Sequence, residues 1–271
     1  MSSERAFDVA AAKLNLALHV RATRPDGRHD IETLFAFCID GDRLGVMAGK
    51  VLSLSVSGPF APGLGDPEDN LVLRAARALK QLAGVEQGAE ITLEKRLPIA
   101  SGLGGGSADA AAALRLLTAL WKIDPAYAQA VAPELGSDVP ACLLGLPARG
   151  TGAGDELTPI ALPDLSGTPV LLVNPRVELS TAKVFAAWDG TDGGPLGDWR
   201  DGGNDLEAPA KLLVPQIASV LAWLGTRPGV SVARMSGSGA TCFALFDSDE
   251  ARDRACDSVP REWWRLPTGL R

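Results

Sequence analysis

The sequence predicts an α+β protein of two domains. Three observations carry this. Alternating apolar runs fill much of the first sixty residues. Helical segments gather in the middle. A second set of strands and helices follows the Pro- and Gly-rich break "LPDLSGTP", without the regular strand–helix alternation of a parallel sheet. With 271 residues the chain can form two ordinary domains, each with its own core. The break places them at 1–160 and 161–271.

The elements follow in order. "AFDVAAAKLNLALHV" is a strand, alternating from Lys13 onward, with Leu14, Leu16 and Leu18 on one face and Lys13, Asn15 and Ala17 on the other. "RATRPDGRHD" is a turn. "IETLFAFCID", "RLGVMAG" and "KVLSLSVSG" are three further strands. "DNLVLRAARALKQLAG" is a helix capped by Asp69 or Asn70, with Gly84 near its stop. "AEITLEKRL" alternates again and leads to "PIASGLGGGSADAAAAL", a glycine loop running into a helix from about Ser107. "AYAQAVAPEL" and "SDVPACLLG" are helical, and "ARGTGAGDELTPI" is turn-rich. After the break, "VLLVNP" is a buried strand, "TAKVFAAW" a short helix and "TDGGPLGDWRDGGND" a long flexible loop. "KLLVPQIASVLAWLG" is a helix interrupted by Pro215. "SVARMSGSGATCFALF" is strand, glycine turn, strand, and "DEARDRACDSV" a final helix.

Hydrophobic residues at 46% and charged residues at 22% make an ordinary globular composition. The net charge of −7 argues against nucleic-acid or membrane-surface binding, which need clustered Lys and Arg. It leaves a small anionic ligand open. No apolar run approaches the roughly 18 residues of a membrane helix. The N-terminus carries Glu4, Arg5, Asp8 and Lys13, and lacks the basic start and unbroken apolar stretch of a signal peptide. Cys38, Cys142, Cys242 and Cys256 are scattered, three of them in apolar company, so free buried thiols in a reducing cytoplasm are expected. Nothing in the sequence bears on oligomeric state.

The glycine loop points to chemistry. The first N–H groups of a helix lack internal partners and lie at the positive end of its dipole. Gly102, Gly104, Gly105 and Gly106, beside Ser101 and Ser107, would let an anion reach those groups without meeting a Cβ. A tight turn that merely caps the helix is the plainer alternative. No Lys follows the glycines, so this is not a P-loop. Ser107 stands where a dinucleotide fingerprint needs its last glycine. Asp124 lies at a suitable distance for a ribose acid, but begins a helix rather than ending a strand.

"PIASGLGGGSADAA" resembles the P-x-x-x-G-L-G-x-[SG]-[SG]-A phosphate loop of the GHMP kinases, the superfamily of galactokinase, homoserine kinase and mevalonate kinase. "AAKLNLALHV", "RPDGRHDIETLF", "EDNLVLRAARAL", "GSDVPACLLG", "GTGAGDELTPI", "NDLE" and "SGSGATCFALF" stand in the order of one branch, the 4-diphosphocytidyl-2-C-methyl-D-erythritol kinases. The likeness runs from about Ala11 to Phe246. It implies an N-terminal domain like the second domain of ribosomal protein S5 and a C-terminal ferredoxin-like domain. It also implies phosphoryl transfer from ATP, accompanied by Mg²⁺, to the 2-hydroxyl of a cytidine diphosphate sugar alcohol. A different alcohol such as homoserine is the nearest alternative, and a binding module on the same fold is another.

The resemblance assigns residues. ATP phosphates would rest on Pro98, Ile99, Ala100, Ser101, Gly102, Leu103, Gly104, Gly105, Gly106, Ser107 and Ala108. Asp138 matches the catalytic base, although an Asp before "VPACLLG" also suits a helix N-cap. Lys13 matches the active-site lysine beside that base; without the resemblance it reads as a solvated strand residue. A cation there favours an ionised carboxylate and offsets charge that develops during transfer. Asn15 would hydrogen-bond the substrate. His29 would read the cytosine edge, Phe185 would stack on the base, and Thr181 would face the same pocket. Both Phe185 and His29 also have structural readings. Where the family usually has a tyrosine before the histidine, this chain has Arg28, whose guanidinium can also stack on a flat ring. No protein metal cage is expected, the ion being held through the phosphates. "SGSGA" resembles a family motif that closes on substrate, or is a plain hairpin turn.

Overall fold

In the computed structural model, which describes residues 5–271, the predicted N-terminal strands are longer than their sequence signals. Glu4, part of the N-terminal charge cluster, lies outside the described residues. β1 spans Ala6–Thr23 and β2 spans His29–Gly49, so "IETLFAFCID" and "RLGVMAG" are one strand and not two. Gly41 explains the continuity. A Cβ there would lie 1.9 Å from the Ala10 carbonyl oxygen, so the glycine marks a close strand approach and not a turn.

The chain divides into two units, one made of the residues up to Ala12, Asp40–Ile99 and Gly104–Gly145, the other of Lys13–Ile39, Ala100–Leu103 and Leu146–Arg271. In the first, β3 (Ser53–Ser57), β4 (Gly88–Glu94) and β2 lie in that order, β3 parallel and β2 antiparallel to β4. The parallel step requires a crossover, which contains α1 (Leu71–Leu82). Asn70 caps α1, its side chain accepting from the Val72 N–H at 2.9 Å. α2 (Gly105–Trp121) starts two residues before the expected Ser107 and packs against α1, α3 (Pro125–Leu135) and α4 (Val139–Leu144). Having neighbours on several sides, it buries Ala108 and Ala110–Ala113 as well as Leu114, Leu116 and Leu117. The small alanines fill positions where a longer side chain would hold the neighbouring helices apart. Asp124 caps α3 through a 2.8 Å bond from the Ala126 N–H, the helix-start role that counts against a ribose site.

In the second unit the turn-rich "ARGTGAGDELTPI" forms a hairpin of β5 (Ala148–Thr151) and β6 (Glu156–Pro159), with β5 paired to Thr33–Phe35 of β2. A separate antiparallel sheet has the order β10-β7-β9-β8. Its strands are β7 (Pro169–Asn174), β8 (Val230–Met235), β9 (Cys242–Phe246) and β10 (Trp264–Gly269). With α5 (Thr181–Ala186), α6 (Glu207–Leu213) and α7 (Gln216–Gly225) between β7 and β8, and α8 (Asp249–Asp257) between β9 and β10, the connectivity is ferredoxin-like. β10 was not legible in the sequence because Arg265 and Pro267 interrupt its apolar pattern. The structure accommodates that proline on an edge strand, where a ladder donor can be spared.

Pro215 separates α6 from α7, as its missing N–H requires. The segment expected to be a flexible loop is instead anchored. Trp199 and Leu196 are buried, and Arg234 donates to the carbonyls of Leu16, Trp199 and Arg200. Asn204 donates to the Met235 and Gly237 carbonyls at 2.8 Å each. All four cysteines are free and buried. Among the described residues no helix is long and apolar enough to cross a membrane.

Candidate active site

The glycine loop carries three left-handed residues in alternate positions: Ala100 (φ 49°), Gly102 (φ 78°) and Gly104 (φ 63°). Gly104 is the N-cap residue of α2, and Gly105 and Gly106 form its first turn. The orphan amides of that turn therefore stand behind residues without Cβ atoms. Gly102 is further constrained. A Cβ would fall 2.3 Å from the Ser236 carbonyl oxygen and 2.8 Å from that of Gly239. Gly102→Ala should lower stability by about 2–4 kcal/mol, combining a disfavoured backbone with a backbone clash. A thermal melt unchanged within 1 °C would contradict the prediction.

Those contacts show that "SGSGA" does more than turn a hairpin. Ser236 Oγ donates to the Gly102 carbonyl at 3.0 Å, and the Thr241 N–H donates to the Ser101 carbonyl at 3.0 Å. The same Ser236 Oγ accepts from the Asn15 N–H at 3.2 Å, while the Lys13 N–H donates to the Leu103 carbonyl at 2.9 Å. Ser101–Leu103, the Lys13–Asn15 stretch of β1 and the second glycine turn are thus one hydrogen-bonded assembly. Thr181 joins its far end, with Thr181 Oγ1 2.8 Å from Ser238 Oγ.

Lys13 is only 4% exposed, which removes the reading of a solvated strand residue. Its Nζ donates to Asn15 Oδ1 at 2.8 Å and lies 5.4 Å from the Phe35 ring centre. The Asn15 amide in turn donates to Thr33 Oγ1 at 2.8 Å, and Thr33 Oγ1 donates to the Ala17 carbonyl at 2.7 Å. Neighbouring strands therefore hold the lysine head in one place. Asp138 occupies the N-cap position of α4, yet its side chain makes no cap hydrogen bond. The carboxylate does not do the capping work that was its alternative explanation.

His29 and Phe185 are brought together. Their rings stack with centroids 4.7 Å apart at 27°, and Trp188 meets His29 edge-on at 5.7 Å. The Arg28 guanidinium pairs with Asp26 at 2.8 Å, and its side chain is 57% exposed.

Sequence reasoning missed a buried ionic cluster in the first unit. Lys95 Nζ lies 2.5 Å from Asp42 Oδ2 and 2.6 Å from Asp109 Oδ2, all three residues being at most 3% exposed. Asp109 was legible only as an acid in the first turns of α2. Lys95 and Asp42 gave no signal, because their pairing depends on contacts distant in sequence. Burial pushes the Asp109 carboxyl up to about 7, with the Asp42 charge adding and Lys95 opposing. Burial works against the charge on Lys95, but Asp109 and Asp42 outweigh it and hold its ammonium above the ordinary value. Among the described residues, no three His, Cys, Asp or Glu side chains gather to hold a metal ion.

Comparison with known proteins agrees with this geometry. The GHMP kinases N terminal domain model matches residues 70–146 and the GHMP kinases C terminal model matches residues 190–266. The 4-diphosphocytidyl-2-C-methyl-D-erythritol kinase of Rhizorhabdus wittichii is 53% identical, over 97% of this chain and 94% of that protein. The same-named kinase of Novosphingobium aromaticivorans is 50% identical, over 97% of this chain and 92% of that protein. A crystal structure of a 4-(cytidine 5'-diphospho)-2C-methyl-D-erythritol kinase superposes with a TM-score of 0.85 at 34% identity, covering 98% of this chain and 99% of that one. A homoserine kinase from Cytophaga hutchinsonii, at 18% identity and a TM-score of 0.66 over 96% of this chain and 95% of that one, shares the fold. The chain belongs to the GHMP kinases and, within them, to the 4-diphosphocytidyl-2-C-methyl-D-erythritol kinase family.

Proposed function

We propose that this protein transfers the γ-phosphoryl group of ATP to the 2-hydroxyl of 4-diphosphocytidyl-2-C-methyl-D-erythritol, a step toward isoprenoid precursors. One observation carries the reading: relatives named for this kinase match at 53% and 50% identity over 97% of the chain. The glycine loop opening onto α2 and the buried, oriented Lys13 are the features such chemistry needs. The two family models fall on either side of residue 160, which supports domains at 1–160 and 161–271. A cytoplasmic location fits a soluble-substrate kinase.

In this reading the residues Pro98–Ala108 line the ATP phosphates, which the unpaired backbone N–H groups at the start of α2 hold. Asp138 takes the proton of the attacking hydroxyl as its oxygen bonds to the γ-phosphorus. The bond from that phosphorus to the β,γ-bridging oxygen breaks, and ADP leaves. Lys13, fixed by Asn15, offsets the negative charge that builds during transfer. Mg²⁺ carried by the ATP phosphates would supply neutralisation of their charge, with no side chain of this chain assigned to hold it. Asn15 contacts the acceptor, His29 and Phe185 hold the cytosine, and Thr181 faces the same base pocket. Arg28 is committed to Asp26 and contributes little.

That last assignment predicts a contrast. Phe185→Ala should raise KM for the cytidyl substrate by about 5–100-fold, the range base–aromatic stacking supplies, with KM for ATP unchanged. Arg28→Ala should change either KM by less than about threefold, because an exposed ion pair contributes little. Steady-state kinetics in both substrates would show it, and the reverse ranking would sink the base site. The function itself is tested by incubating purified protein with ATP and either the cytidyl alcohol or homoserine. Phosphorylation of homoserine alone would overturn the proposal.

A further inference from the structure

The buried cluster of Lys95, Asp42 and Asp109 joins the two ends of the glycine loop. On the entering side, Asp42 Oδ1 accepts from the Arg96 N–H at 2.5 Å and the Leu97 N–H at 2.8 Å. On the leaving side, Asp109 lies one turn into α2 and takes the Lys95 ammonium at 2.6 Å. That ammonium packs directly on the first helical residue, since a Cβ on Gly105 would stand 3.1 Å from Lys95 Nζ.

Such a cluster is a poor choice for stability alone. Removing two carboxylates and an ammonium from water costs several kcal/mol per ion, and apolar replacements of like volume are often neutral or better. What short charged hydrogen bonds provide is fixed direction. Asp109 Oδ1 also remains buried without a hydrogen-bond partner among the described residues. A carboxylate in that state is held for its placement at some energetic cost.

We propose that Lys95, Asp42 and Asp109 form an ion clamp that closes the glycine loop and positions the first amides of α2 for phosphate. The clamp rests on the kinase reading given above and adds positioning residues to it. It touches no reacting atom.

The clamp also links phosphate binding to protons. The charged groups facing Asp109 are Lys95, just after β4, and Asp42 on β2. With both carboxylates ionised the cluster carries −1, and with Asp109 protonated it is neutral. An anion held at the start of α2 favours the neutral form. Phosphate binding should therefore weaken as pH rises through the Asp109 titration, near 7.

The test is titration calorimetry of the whole protein with a non-hydrolysable ATP analogue and Mg²⁺ at pH 6 and 8. Asp109→Ala is expected to bind the analogue on the order of tenfold more weakly, the loss of one charged hydrogen bond, with affinity for the cytidyl substrate within twofold. Asp109→Asn retains an acceptor for Lys95 and should restore most of the binding. Between pH 6 and 8 the wild type should weaken by about threefold relative to Asp109→Asn. If the wild type binds the analogue and Asp109→Ala binds it equally well, the clamp is refuted and the kinase reading stands. If Asp109→Ala does not fold, parallel pH profiles for wild type and Asp109→Asn refute it instead. A wild type that binds no analogue removes both readings together.

Discussion

Asp138→Asn is expected to lower kcat by about 10²–10⁴-fold, the range a positioned general base contributes, with both KM values near those of the wild type. The substitution keeps the shape of the side chain while removing its negative charge and its capacity to take the hydroxyl proton. Asp138 also occupies the N-cap position of α4, where replacing a working cap costs about 0.5–2 kcal/mol. Its side chain makes no cap hydrogen bond, so that capping loss is not expected. Activity and stability are thereby separable at this position. A variant that turns over within tenfold of wild type would take the base role from Asp138. A large fall in melting temperature with little loss of kcat would return it to a structural role.

Lys13→Met should cost about 10²–10³-fold in kcat, the scale of removing one preorganised electrostatic contact from a transition state. Methionine fills a similar volume beside Phe35, so packing is largely kept. Asn15 Oδ1 loses the ammonium that donates to it at 2.8 Å, which should destabilise the fold by about 1–3 kcal/mol. Lys13→Arg should not rescue turnover, because a planar fork cannot occupy a buried site shaped for a compact ammonium. Steady-state kinetics with chemical denaturation of each variant separates the two effects. A Lys13→Met protein with kcat within threefold of wild type would exclude the lysine from the chemistry.

Much of the fold can be read locally. Asn70 and the apolar spacing after it mark α1, and Pro215 marks the break between α6 and α7, because capping and proline geometry act over a few residues. The failures come from contacts distant in sequence. Gly41 looks like a turn residue until Ala10 is seen against it. β10, its apolar pattern broken by Arg265 and Pro267, gives no strand signal until β7 pairs with it. The loop around Trp199 looks unstructured until Arg234 and Asn204 take up its backbone and that of the turn beside it.

The site divides the same way. Read by itself, the order of residues determines the phosphate loop, since glycines before a helix start are a local arrangement with a local consequence for anions. Through its linked motifs it also determines the family, and so the candidate roles of Lys13 and Asp138. Only the tertiary structure decides that Lys13 is buried and aimed by Asn15, that Ser236 ties the second glycine turn to Gly102, and that Arg28 is held by Asp26. It alone assembles Lys95, Asp42 and Asp109, whose partners stand 53 and 14 residues apart along the chain. Charges placed so far apart acquire a common purpose when folding removes the water between them. Hydrogen bonding and burial are settled by neighbours in space, and a linear sequence specifies those neighbours only through the whole fold.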